Sequence, residues 1–122
     1  RRQRQMCIRD RLRRQHQLHR QRGEILNKAL KQYLPTWKPY ALNGGSACWI
    51  DTAADIDTTV LSHYAANLGV FIESGQSFFL DDHKHKHFLR LGFGSISADK
   101  IDEGIRRLAQ ATEEYCLYNW AD

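Results

Sequence analysis

Several features that identify common protein classes are scarce or absent in this sequence. Its 122 residues include three cysteines, two prolines and one methionine. The cysteines are odd in number, lie far apart and form no C-x-x-C pair, which argues for reduced thiols and against a disulfide framework or zinc knuckle: Cys7, Cys48 and Cys116. No run approaches the roughly eighteen apolar residues of a membrane span, and no apolar stretch near the N-terminus resembles a secretory signal. We therefore expect a cytoplasmic protein that does not enter a membrane.

Signature motifs of several enzyme classes are also missing. The sequence contains no G-x-S-x-G, P-loop, H-E-x-x-H or Rossmann glycine pattern. What is present is ordinary for a globular protein, with 42% hydrophobic and 26% charged residues. A chain of this length forms one domain and buries roughly two-thirds of its unfolded surface, so it needs neither a disulfide nor a metal to fold.

The formal net charge of +4 is concentrated at the N-terminal end. Residues 1–11 carry five arginines and one aspartate, whereas the rest of the chain holds 13 basic and 13 acidic side chains. This balance removes the global electrostatic argument for nucleic-acid binding. The basic end itself is compatible with a nucleic-acid arm or with the solvated end of a helix, and the second interpretation is favoured.

A third interpretation of the same end compares its residues with the translation of a known DNA element. Met6–Arg11 resembles the translation of the transposase-end DNA that is used to build sequencing libraries. We therefore hypothesise that residues 1–11 are a non-native, adapter-derived extension, that the domain occupies residues 12–116, and that residues 117–122 form a tail. Resequencing the genomic DNA across the junction tests this, because an uninterrupted natural reading frame through Met6–Arg11 would contradict it.

Three helices are predicted from apolar periodicity and capping residues. The first covers Leu12–Leu34, carries an apolar stripe in its second half and ends before a proline. The second begins at an N-cap, Asp55 or Asp57, and is closed by Gly69 in the C′ position. The third follows Ser97 and carries one largely apolar face: Ile101, Ile105, Leu108, Ala109 and Thr112.

Three short strands are predicted between the helices, at Ser46–Asp51, Val70–Ile72 and Phe88–Phe93. The segment Trp37–Tyr40 is predicted to be an extended connector. The order is helix, strand, helix, strand, strand, helix. It predicts an α+β fold in which a small three-stranded sheet, antiparallel or mixed, is covered by helices on one face.

Both faces of this predicted sheet carry apolar residues. Trp49, Phe71 and Phe88 fall opposite the aliphatic residues of their strands, because side chains alternate along an extended chain. The helices cover the aliphatic face. The other face either docks against a protein segment outside this sequence or is covered by a helix that wraps round the sheet.

Arg90 is the unusual residue on the last predicted strand, where it projects opposite Leu89 and Leu91. One interpretation is a solvent-facing arginine on a half-exposed strand, and the strand pattern alone favours it. The other is a rigidly held guanidinium that binds a carboxylate or phosphate through two parallel hydrogen bonds.

A group of histidines precedes this strand. His83, His85 and His87 would share one face of an extended segment, where imidazoles can ligate zinc or nickel. Lysines alternate with them and two aspartates precede them, so a solvated polar loop is the favoured interpretation. No metal site is assigned.

Four segments, in this order and spacing, resemble a known domain. They are a first segment with residues 12–14, 20–26 and 34–37, the G-G-S-A-C-W run at 44–49, residues 69–79, and the F-L-R-L-G-F run at 88–93, which is followed by residues 101–108. Over about Leu12 to Thr112 the chain resembles the C-terminal small domain of fold-type I, pyridoxal-phosphate-dependent aminotransferases. It is most similar to the aminotransferase-like half of the MocR-type branch of GntR transcriptional regulators.

The resemblance implies roles for particular residues. The arginine of the matching L-R-L strand binds the α-carboxylate of the amino-acid substrate in this family, which assigns that contact to Arg90. Phe78 and Phe79 would face the substrate entrance. The sequence departs from the family pattern at Ser74, where proline is usual, and at Gln76, where an acidic residue is usual, so the shape of this loop is left open.

The resemblance also implies what lies outside this sequence. The Schiff-base lysine, the other cofactor contacts and the pyridoxal phosphate itself belong to a large domain in this family. The six lysines here stand on a polar helix face, in connectors or near a cap, where a solvated amine is expected: Lys28, Lys31, Lys38, Lys84, Lys86 and Lys100. No catalytic or cofactor-binding residue is therefore assigned, and the chain alone is expected to be inactive.

The sequence is compatible with two functions. In the first, the chain is the C-terminal part of a homodimeric transaminase or MocR-type regulator. Its partners would then be an amino acid, a cofactor-binding large domain and, in a regulator only, DNA through an N-terminal winged helix. In the second, the chain is a stand-alone α+β module that binds an amino acid or a protein partner without catalysis.

Overall fold

The computed structural model describes residues 2–41, 47–77, 86–93 and 96–119. Within these ranges the chain forms three helices and four strands. The helices are α1 (Arg2–Tyr33), α2 (Thr58–Asn67) and α3 (Ala98–Asn119). The strands are β1 (Lys38–Ala41), β2 (Ala47–Asp51), β3 (Glu73–Ser74) and β4 (Phe88–Gly92), with a short 3-10 turn, Gly75–Ser77, after β3.

The strands form one antiparallel sheet in the order β1-β2-β4-β3. The predicted α+β class is confirmed, but the sheet has four strands, not three. The predicted connector at Trp37–Tyr40 contributes most of β1, which is an edge strand. Pro39 is tolerated there because an edge strand leaves part of its backbone unpaired.

The predicted strand at Val70–Ile72 is wrong, and the end of α2 explains why. Gly69 adopts a φ of 84°, as its predicted C′ position requires, and the Val70 amide donates back to the Ala65 carbonyl at 2.9 Å. Val70 is therefore still part of the helix end. Pairing with β4 begins only at Glu73.

The helices follow the predicted pattern, with two differences in extent. Helix α1 begins at Arg2, so it is about three turns longer than predicted, and α3 continues through Asn119. Helix α2 uses Asp57 as its N-cap, whose carboxylate accepts from the Thr59 and Val60 amides. In the described part of the chain, no helix has the length and apolar content needed to cross a membrane.

The core lies between the helices and one face of the sheet. Strands β2 and β4 supply alternate residues to it, and all three helices contribute aliphatic side chains: Cys48, Ile50, Leu89 and Leu91 from the strands and Leu26, Leu30, Leu61, Ile105 and Leu108 from the helices. The opposite face of the central strands, which we call the open face, carries Trp49, Phe88 and Arg90, none of which is fully buried.

Cys48 provides a test of this core. The thiol is buried, and burial raises its pKa. Because the thiolate is the reactive form, we expect iodoacetamide to modify Cys48 at least about tenfold more slowly in the folded chain than in urea. Peptide mapping by mass spectrometry measures the rate at each cysteine, with the half-buried Cys116 as internal control. Equal rates at Cys48 in the folded and unfolded chain would contradict the placement.

Candidate functional site

One row of side chains crosses the open face of the sheet. In the strand register, Trp49 lies opposite both Tyr40 of β1 and Arg90 of β4, and Arg90 lies opposite Glu73 of β3. Residues directly opposite each other in antiparallel strands project to the same face. The sheet therefore aligns two aromatic rings, a guanidinium and a carboxylate.

Arg90 is held firmly at its base and is accessible at its tip. Its neighbours Leu89 and Leu91 are both buried in the core. The side chain itself is 35% exposed, and its Nη1 donates to Glu73 Oε1 at 2.8 Å. This is its one side-chain hydrogen bond to the described residues, although a guanidinium has five N–H donors. The fork therefore keeps donors for another acceptor.

Aromatic rings lie beside the guanidinium. The rings of Trp49 and Phe88 stack, with centroids 5.9 Å apart and planes at 18°. The His87 ring is 4.5 Å from that of Phe88, and its Nε2 lies 3.5 Å from Asp51 Oδ1. The sequence prediction placed Phe71 with this group, which is wrong: Phe71 precedes β3 and is 82% exposed.

A buried hydroxyl joins the elements around Arg90. Thr58, the first residue of α2, is fully buried, and its Oγ1 lies 2.8 Å from Ser74 Oγ. The same oxygen lies 2.7 Å from the Lys86 carbonyl and 2.8 Å from the Phe88 carbonyl. One hydroxyl has one proton, which these two carbonyls share, so the Ser74 hydroxyl donates to Thr58 Oγ1. Thr58 thus ties β3 and the start of β4 to α2.

The two positions that depart from the family pattern join this network. Thr59 Oγ1 donates to Gln76 Oε1 at 2.9 Å and lies 3.0 Å from Ser74 Oγ. The Gln76 amide donates to Ser74 Oγ at 3.2 Å. Hydrogen bonds to α2 therefore hold the segment that contains Ser74 and Gln76. Phe78 and Phe79, the predicted entrance residues, lie outside the described residues.

The predicted histidine group is only partly described, because His83 and His85 lie outside the described ranges. His87 Nε2 lies 3.5 Å from Asp51 Oδ1. Among the residues that the structure describes, no group of three or more histidine, cysteine, aspartate or glutamate side chains could hold a metal ion.

The described lysines do not suit a Schiff base with pyridoxal phosphate. That role needs an amine whose pKa is depressed by burial or by a neighbouring cation. Lys28, Lys31, Lys38 and Lys100 are exposed. Lys86 Nζ lies 2.9 Å from Asp55 Oδ1, and the hydrogen bond and charge of that carboxylate raise the pKa of Lys86. Lys86 is therefore held as a charged partner of Asp55.

Sequence reasoning missed Glu73 and Thr58. A carboxylate close to a predicted strand was the available signal for Glu73. Pairing it with Arg90 requires the register between β3 and β4, which the sequence does not reveal. Thr58 follows an N-cap, where a threonine is usually solvated. Its burial depends on how β3 and β4 pack against the first turn of α2.

No protein-family model matches the chain. Among curated proteins, the chain is 33% identical over 93 residues to the HTH-type transcriptional regulator TauR of Rhodobacter capsulatus, covering 76% of this chain and 19% of the regulator. It is also 33% identical over 103 residues to aromatic-amino-acid aminotransferase 1 of Thermococcus litoralis, covering 80% of this chain and 24% of the enzyme. The chain thus spans a quarter or less of the curated relatives that it matches.

A solved structure gives the same result. Pyrococcus horikoshii kynurenine aminotransferase, in complex with PMP, superimposes on 80% of this chain with a TM-score of 0.71 and 29% identity. The chain covers 24% of that enzyme. The resemblance inferred from the four sequence segments is therefore confirmed in sequence and in fold.

Proposed function

This chain is an aminotransferase-type small domain by homology and by fold, and on that premise we propose that Arg90 binds the α-carboxylate of an amino acid. The ligand would lie against the open face of the sheet. The activity, substrates and partners of the complete protein are also proposals, because the chain covers only 19% and 24% of the lengths of the two curated relatives.

One observation carries the proposal: the guanidinium of Arg90 already holds a carboxylate. Glu73 Oε1 accepts from Nη1 at 2.8 Å, which places a carboxylate oxygen at the distance that a ligand would take. Leu89 and Leu91 anchor the strand in the core on either side. The donor therefore stands on a rigid element, as a positioning contact requires.

The residues of this chain would bind and orient the ligand. Arginine suits the task because its planar fork matches the two carboxylate oxygens and stays charged at any working pH. The stacked rings of Trp49 and Phe88 give the site an apolar wall. Pyridoxal phosphate, when bound by a large domain, supplies the electron sink for chemistry at the amino-acid α-carbon.

The complete protein is proposed to be a cytoplasmic homodimer. One relative is named as an aminotransferase and another as a transcriptional regulator, and the same carboxylate contact would serve catalysis or effector sensing. In the regulator, DNA would be bound by a separate N-terminal domain.

A second candidate function has one observation in its favour. The ion pair between Arg90 and Glu73 also fits a surface arginine that is satisfied within its own sheet. The chain would then be a stand-alone module that binds a partner through the aromatic open face, and Arg90 would make no ligand contact.

The test replaces Arg90 in the chain co-expressed with the cofactor-binding large domain of a fold-type I aminotransferase. The cofactor absorbance is followed as L-phenylalanine is added, and separately phenethylamine, which lacks the carboxylate. Arg90→Ala is expected to weaken L-phenylalanine binding about 10- to 100-fold, since a hydrogen bond to a charged group contributes roughly 1.5–3 kcal/mol. Phenethylamine binding should not weaken, because this ligand has no carboxylate for Arg90 to bind.

Two further variants sharpen this experiment. Arg90→Lys keeps the charge but loses the fork, so its affinity should fall between those of the wild type and Arg90→Ala. The matched control is Arg106→Ala, an arginine of α3 that pairs with Glu103 at 2.6 Å. Unchanged L-phenylalanine affinity in Arg90→Ala would reject the carboxylate role and favour the stand-alone module.

A further inference from the structure

The ion pair between Glu73 and Arg90 has a direct consequence for ligand affinity. Glu73 Oε1 lies 2.8 Å from Arg90 Nη1, and the Glu73 side chain is 54% exposed. A carboxylate that approaches the same guanidinium meets a charge that is already neutralised. It also meets a second negative charge within a few ångströms, which disfavours its binding.

The backbone of Glu73 is not free to move away. Strand β3 has only two residues, so its pairing with β4 provides few ladder hydrogen bonds and would hold Glu73 only weakly by itself. A side-chain hydrogen bond next to Glu73 adds to this pairing. The next residue, Ser74, is buried and hydrogen-bonded through its hydroxyl to Thr58 Oγ1. Ser74 also lies opposite Leu89 in the strand register. The hydrogen bond and the strand pairing of Ser74 thus keep Glu73 opposite Arg90.

We infer that Glu73 is an affinity-setting residue, a built-in carboxylate that competes with the ligand carboxylate for the guanidinium of Arg90. This rests on the proposed function of Arg90 and extends it. Glu73 engages one donor of the fork, so a ligand either uses the remaining donors beside Glu73 or displaces it. In both cases the charge of Glu73 lowers the affinity for carboxylates, and it does not lower the affinity for ligands that lack a carboxylate.

The test uses the full 122-residue chain, labelled with nitrogen-15, at low ionic strength. Acetate and L-phenylalanine are the carboxylate probes, and phenethylamine is the matched amine. The Nε–Hε signal of Arg90 and the amide signals of Leu89 and Leu91 report binding. Glu73→Gln keeps the shape and an acceptor oxygen but removes the charge.

Glu73→Gln is expected to lower the dissociation constant for acetate and for L-phenylalanine about two- to fivefold, the modest size typical of a partly exposed ion pair. Phenethylamine, a cation at neutral pH, should not bind Glu73→Gln more tightly than the wild type. Added salt should erase the difference, because it screens exposed charges. Glu113→Gln, which removes an exposed carboxylate from α3, is the matched control and should have no effect.

The outcomes separate this inference from the proposed function. If the Arg90 signal shows that the wild type binds carboxylates as tightly as Glu73→Gln or more tightly, the competition is overturned and the role of Arg90 stays intact. Shifts at Arg90 in neither chain would overturn both. Tightening that persists in Glu73→Gln/Arg90→Ala, followed at the backbone amides, would show that Glu73 acts on another group and would also overturn the inference.

Discussion

Leu89→Ala is expected to lower the free energy of unfolding by about 2–5 kcal/mol, the range for truncating a leucine in a packed core. Leu89 is fully buried and belongs to the core between the sheet and the helices. It lies opposite Ile50 of β2 on one side and Ser74 of β3 on the other. Since domains of this size are stable by about 5–15 kcal/mol, the loss is a large fraction of the total.

Urea unfolding followed by circular dichroism measures this change. The midpoint should fall while the slope of the transition stays constant, because the surface exposed on unfolding hardly changes. Phe71→Ala is the control: it removes a larger side chain that is 82% exposed, and its effect should stay within about 0.5 kcal/mol. A midpoint for Leu89→Ala equal to that of the wild type would show that β4 does not pack as described.

Thr58→Val is expected to lower the free energy of unfolding by about 1–3 kcal/mol, although the two side chains have nearly the same shape. The loss arises because valine leaves the Ser74 hydroxyl without its acceptor and removes the donor to the Lys86 and Phe88 carbonyls. Ser74 is buried, so water has little access to its hydroxyl, whereas the Lys86 carbonyl still accepts from the Thr58 amide at 2.8 Å.

The neighbouring threonine is the matched control for this substitution. Thr59 also hydrogen-bonds to Ser74 and to Gln76, but it is exposed, so water can take over its bonds. Thr59→Val should therefore cost clearly less than Thr58→Val in the same urea experiment. If Thr59→Val costs as much or more, the buried hydroxyl is not what holds β3 against α2.

Local signals predicted much of the fold correctly. The C-cap at Gly69 was predicted from the fact that glycine readily adopts positive φ, and the structure has φ of 84° there. Asp57 was one of two proposed N-caps and is the one used. The alternation in Phe88–Phe93 placed Leu89 and Leu91 in the core and Arg90 on the opposite face, as the structure has them.

The errors arose where partners distant in sequence decide the outcome. Val70–Ile72 has the composition of a strand, but none of the strands in the described residues pairs with it, and the chain first completes the end of α2 there. Lys38–Ala41 contains a proline and looks like a connector, yet β2 pairs with it at the sheet edge. Strand pairing depends on which backbones come into contact, and no local propensity encodes that.

The sequence by itself determined that Arg90 stands on a short strand between two core leucines, because alternation follows from strand geometry alone. It also determined the family resemblance, which the relatives and the solved structure confirm. Only the tertiary structure decided what surrounds Arg90. The strand register places Glu73 against it, and the packing of α2 buries the Thr58 hydroxyl between β3 and β4. Both arrangements depend on contacts between segments that lie 15 or more residues apart, which only the folded chain brings together.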